Sequence, residues 1–71
     1  MSQHKVTIYH YHFDDNGKET KEVHSVNKFY TEEEADQFAY NANGQFILVE
    51  HQYEMYKQDG LLDSGFYSEV R

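Results

Sequence analysis

The sequence contains no cysteine, no proline and no tryptophan, and glycine occurs only four times in 71 residues. Without cysteine there is no disulfide staple, no thiolate zinc site and no cysteine nucleophile. Gly17, Gly44, Gly60 and Gly65 are widely spaced, so they read as punctuation within one domain spanning residues 1–71, with no linker and no low-complexity segment between them. Long apolar runs are missing as well. No window of 18 apolar residues exists, and Met1 to Lys5 leads directly into an alternating pattern without a signal-peptide hydrophobic region. This predicts a cytoplasmic protein with no membrane association.

Positive charge is scarce. Six Lys and Arg face 13 Asp and Glu, a net charge of −7 with His neutral. Such a field repels phosphates and anionic lipid. Tyr9, Tyr11 and Tyr67 could imitate the stacking platform of single-strand binders, but the sole arginine is Arg71, so direct nucleic-acid binding is not expected. Catalytic signatures are also missing: there is no G-x-S-x-G, no phosphate-cradling glycine loop and no dinucleotide fingerprint. Carboxylate pairs exist, notably Glu50 and Glu69, which a strand pairing would set face to face as an acid–base dyad. A chain this short has little room for a substrate pocket, and the expectation is a non-enzyme without a cofactor.

What the sequence has in excess is rings: seven Tyr and five Phe. A small domain is marginal without staples or metals, and aromatic side chains burying roughly 150–250 Å² each compensate in part. The run from Lys5 to Phe13 is β-branched and aromatic, and Asp14-Asp15-Asn16-Gly17 after it supplies a turn. A loop of Asp15, Asn16 and Gly17, with Gly17 left-handed, sets Asp14 opposite Lys18 and starts a return strand over 20–29. That register gathers Val6, Ile8, His10, His12, Glu22, His24 and Val26 on one face.

Thr31-Glu32-Glu33-Glu34 reads as a capping box for a helix over 32–43. Its apolar stripe is Ala35, Phe38, Ala39 and Ala42, and Asn43-Gly44 is expected to supply a left-handed stop. The residues from Gln45 to Tyr56 read as a third strand, Asp59-Gly60 as a turn, and 61–70 as a fourth strand with a bulge near Ser64-Gly65. In that hairpin Tyr53 faces Phe66, and Ile47, Val49, Tyr53, Met55, Leu62, Phe66 and Val70 form the floor for the helix. The opposite, open face carries Phe46, Leu48, Glu50, Gln52, Glu54, Tyr56, Asp63, Tyr67 and Glu69. The expected fold is thus α+β, with order β-β-α-β-β, a four-stranded mainly antiparallel sheet and one helix on one face.

Two functional expectations follow. The first is a non-catalytic interaction protein that docks on the basic surface of a protein partner, for example as an inhibitor occupying the groove of a nucleic-acid-handling enzyme. Its contacts would come from Glu33, Asp36 and Tyr40 on the helix exterior and from Glu50, Glu54, Tyr56, Tyr67 and Glu69 on the open sheet face. Alternate strand residues stand about 6.8 Å apart, close to the phosphate spacing along DNA. The alternative is a small ligand- or metal-binding module using His10, His12 and His24, because alternate strand residues point the same way. A sheet covered by one helix would also leave an apolar patch for a two-fold homodimer.

Overall fold

The computed structural model describes residues 4–71. Its elements are β1 (His4–Phe13), β2 (Glu19–Phe29), α1 (Glu32–Asn43), β3 (Ile47–Val49), α2 (Glu50–Gln58) and β4 (Ser64–Val70). They form a small α+β domain in which a four-stranded mixed sheet, of order β2-β1-β4-β3, carries two helices. β1 pairs antiparallel with both β2 and β4, while β3 pairs parallel with β4. Among the described residues no helix is long and apolar enough to cross a membrane.

The β1–β2 turn forms as its residues dictate. Gly17 sits at φ 78°, the Asp14 amide donates to the Lys18 carbonyl at 3.0 Å, and the Asp14 carboxylate accepts from the amides of Asn16 and Lys18. The register runs as expected from Phe13 to Tyr9 and then shifts. A bulge places Ile8 opposite Ser25, leaves His24 without a cross-strand partner and moves Val26 to the opposite face, across from Thr7. Val6, Ile8, His10, His12, Glu22 and His24 still share a face.

α1 begins and ends where the capping pattern puts it. The Thr31 hydroxyl accepts from the Glu34 amide at 3.1 Å and donates to the Glu34 carboxylate at 3.0 Å. Ala35, Ala39 and Ala42 are buried, and Ala35 and Ala39 pack with Phe38 and Phe29 against Val6 and Val70. The stop differs from expectation: Gly44 is right-handed at φ −66°, and the left-handed residue is Phe46 at φ 67°.

The single long strand expected over 45–56 is instead a three-residue strand followed by a helix. The alternation needed for a strand is broken by His51, which falls on the apolar side. Val49, Tyr53 and Tyr56 stand at i, i+4 and i+7, the spacing of a helix face. Gln52 reaches back so that its Oε1 accepts from the Val49 amide at 3.1 Å and from Asn43 Nδ2 at 2.7 Å. Asp59-Gly60 is the helix stop and not a hairpin turn. Gly60 is left-handed at φ 70°, and the amides of Gly60 and Leu61 donate to the carbonyls of Lys57 and Tyr56. A helical crossover makes β3 and β4 parallel neighbours, so Ile47, not Tyr53, lies beside Phe66.

The two helices consequently lie on opposite faces. α1 covers the face of Val6, Ile8 and Val70, whereas α2 covers the face of Tyr11, Tyr67 and Leu48. The second core is made of rings: Tyr9 stacks on Tyr67 at 5.1 Å, Tyr67 stacks on Tyr53 at 3.9 Å, and Tyr11 meets Tyr53 edge-on at 5.2 Å. Such pairs add about 0.5–1.5 kcal/mol each beyond burial. Lys21 Nζ donates to the Tyr67 hydroxyl at 2.8 Å and lies over the Tyr9 and Tyr67 rings. Gly65 is the residue under Tyr11, because a Cβ there would stand 2.9 Å from the Tyr11 hydroxyl.

The Tyr53 hydroxyl is buried without a hydrogen-bond partner, whereas that of Tyr67 is satisfied. Tyr53→Phe should therefore leave urea stability unchanged or raise it, while Tyr67→Phe should lower it by about 1 kcal/mol. Equal losses from both would contradict the arrangement. Burial, then the Asp63 charge, raises the pKa of Tyr11; the hydrogen bond to Tyr67 raises that of Lys21. Both groups are held protonated by the fold, so their contribution is complete below their unfolded pKa values and is lost above them. Through these two groups the unfolding midpoint should fall as the pH is raised beyond about 10. A midpoint that rises with pH in that range would contradict this.

Candidate interaction surface

The carboxylates divide into two populations according to what surrounds them. On the α2 side Glu19, Glu50 and Glu69 are engaged, whereas Glu54 makes no ion pair with any described residue. Arg71 donates to both oxygens of Glu50, at 3.0 and 3.2 Å, and reaches Glu69 at 3.1 Å, while Lys57 pairs with Glu19 at 2.9 Å. Glu50 and Glu69 do come together, but around a shared guanidinium that leaves the cluster one net negative charge.

The sheet face expected to be open is not open, because α2 lies on it. Tyr67 is only 2% exposed, sandwiched between Tyr9 and Tyr53. Tyr56 is half-buried on α2, and Glu54 is exposed on the same helix. Of the five residues assigned to that surface, Glu54 alone is both exposed and outside the Arg71 cluster and the tyrosine core. The correction follows directly from the helix replacing the distal part of the expected strand.

The exterior of α1 keeps the composition read from the sequence. Glu32, Glu33, Asp36, Gln37 and Tyr40 line one shallow depression. The ring of Tyr40 is 75% exposed. Glu32, Glu33, Glu34 and Asp36 make no ion pair with any described residue, and α1 contains no basic residue in its last turn to balance them. The helix N-terminus complements the nearest of these charges.

His10, His12 and His24 share the α1 face near the hairpin tip, beyond the region that α1 covers. His10 and His24 each lie against the Phe66 ring at 5.0 Å, and His10 Nδ1 is 3.8 Å from Glu22. His12 is exposed. Among the described residues no three His, Asp or Glu side chains converge as a set of metal ligands.

Three features were not visible in the sequence. Arg71 gathers two carboxylates that are 19 residues apart in the chain. Lys5 stands directly across from Lys28, a pairing that depends on the bulged register. Phe46 is 93% exposed in a left-handed backbone conformation, gaining neither burial nor comfortable torsions. Left-handed backbone costs a non-glycine residue roughly 1–2 kcal/mol, so Phe46→Gly should raise stability to urea by about 1 kcal/mol. A loss of stability would mean that the ring is held by contacts the fold depends on.

No family model matches this chain, and no curated protein or solved structure matches it.

Proposed function

We propose that the protein is a non-catalytic interaction module that docks through the exterior of α1 on a basic surface of a protein partner. The observation that carries this reading is the contrast between the two carboxylate populations. Glu19, Glu50 and Glu69 have basic partners within the molecule, whereas Glu32, Glu33, Glu34 and Asp36 have none among the described residues. Carboxylates left unpaired beside the exposed Tyr40 ring leave their attraction available to a partner. The charges steer encounter and the ring supplies contact area. A groove built to hold nucleic acid has the required charge, so an inhibitor of a nucleic-acid-handling enzyme is one form this function takes. The field of −7 supports a protein target over a nucleic-acid one.

Affinity capture from the native host, followed by titration of the recovered protein, tests the proposal. The partner should be basic, and affinity should fall with salt as exposed ion pairs are screened. Glu33→Lys with Asp36→Lys should weaken binding at least about tenfold, mainly by slowing association, with the melting temperature little changed. Glu54→Lys, on the opposite side of the molecule, should leave binding within about twofold. Binding that ignores the α1 reversal, or that follows Glu54, would overturn the assignment of the surface.

A further inference from the structure

The face of the sheet that carries α2 is only partly covered by it. α2 and the tyrosine core occupy the part built from β3, β4 and the hairpin tip. Toward the other end of the β1–β2 ribbon, Lys5, Lys28, Val23 and Val26 remain exposed, the two valines at 56% and 50%. They lie on one face, since Lys5 pairs with Lys28, Thr7 with Val26 and Tyr9 with Val23. Two lysines directly opposite one another repel, so the pair is a burden on the isolated fold. The charged groups bordering this area are already occupied: Lys21 by Tyr67 and Glu69 by Arg71. Lys5 and Lys28 have no acidic partner among the described residues.

We infer that this half-face is a docking surface for an acidic helix, and that its occupant is α1 of a second copy of the chain. Charge and spacing both fit. Lys5 and Lys28, directly opposed, have Cα atoms about 4.5–5.5 Å apart. Glu33 and Asp36, at i and i+3 on α1, are separated by about 5–6 Å. Both lysines can therefore meet carboxylates at once. The Lys5–Lys28 line runs across the strands and the Glu33–Asp36 line mostly along the helix axis, so the docked helix crosses β1 and β2, with the exposed Tyr40 ring one turn beyond Asp36.

The two surfaces point in opposite directions, α1 outward from one face of the sheet and the Lys5–Lys28 area outward from the other. A closed two-fold dimer cannot satisfy both, so association is head to tail and continues beyond two copies. The inference uses the α1 surface of the proposed function and rests on that surface being a docking site. A bound partner would displace the neighbouring copy.

Sedimentation equilibrium of the purified chain at about 0.15 M salt, up to about 1 mM protein, tests this. Average mass should climb with concentration past twice that of the 8.5 kDa chain. Lys28→Glu should weaken association at least about tenfold while keeping or raising the melting temperature, because it turns a like-charged cross-strand pair into an opposite one. Glu33→Lys with Asp36→Lys should weaken it equally, and an equimolar mixture of the Lys28→Glu and Glu33→Lys/Asp36→Lys proteins should form one-to-one complexes through the two intact surfaces. A mass that stays at the monomer value at about 1 mM overturns the inference. So does a plateau at the dimer mass that Lys28→Glu does not move. Lys28→Glu leaves α1 intact, so continued capture of a basic partner by that variant separates failure of self-association from failure of the α1 docking surface.

Discussion

Everything else in this molecule depends on the stack of Tyr9, Tyr67 and Tyr53. Tyr9 comes from a central strand, Tyr67 from the other central strand, and Tyr53 from the helix laid over them. A helix of nine residues has too little intrinsic stability to persist in water without packing. The stack supplies that packing, with Lys21 closing one end at the Tyr67 hydroxyl and Lys57 lying over the Tyr53 ring. Once α2 is held there, β3 and β4 are parallel, Leu48 and Tyr67 are covered, and Glu50 is delivered to Arg71. The small size of the domain is compensated by using both faces of one sheet, aliphatic and alanine-rich under α1, aromatic under α2.

The same arrangement sorts the charges. Glu19, Glu50 and Glu69 meet Lys57 and Arg71, whereas the carboxylates on α1 meet nothing basic among the described residues. Three of the five lysines, Lys5, Lys21 and Lys28, lie on the face opposite α1. A strongly acidic protein thus has an uneven surface, acidic along one helix and basic over part of one sheet face. Solubility alone would be served by interspersed charges. Segregation of this kind favours oriented contacts, with a partner or between copies.

The elements legible in the sequence were those fixed by neighbouring residues. Thr31 and Glu34 define the start of α1 within four positions, and Asp14 to Lys18 define the first turn within five. The segment from Ile47 to Tyr56 was not legible, because its residues satisfy a period of two almost as well as a period of 3.6. The choice is made by distant residues, Tyr9 and Tyr67 offering Tyr53 a stacking site that a strand would forgo. Asp59-Gly60 adds to the ambiguity, since a left-handed glycine serves a hairpin turn and a helix stop equally. The site followed the same division. Glu33, Asp36 and Tyr40 lie on the exterior of a helix whose cap and stripe are local signals, while Tyr67 is covered by α2, and Glu50 and Glu69 meet at Arg71. Val26 changed faces through a bulge that no local signal announces.

The identity of residues 50–58 therefore decides both the fold and which carboxylates are free. Nuclear Overhauser contacts in the isotope-labelled protein test it most directly. The structure requires contacts from Hα of one residue to the amide three residues later throughout Glu50–Gln58, together with contacts between the Tyr53 and Tyr67 rings. Cross-strand contacts between the backbones of Tyr53 and Phe66, with no helical contacts between them and the Ile47–Val49 strand, would contradict it. That result would restore a continuous hairpin, reopen the tyrosine-bearing face and remove the distinction between the two carboxylate populations.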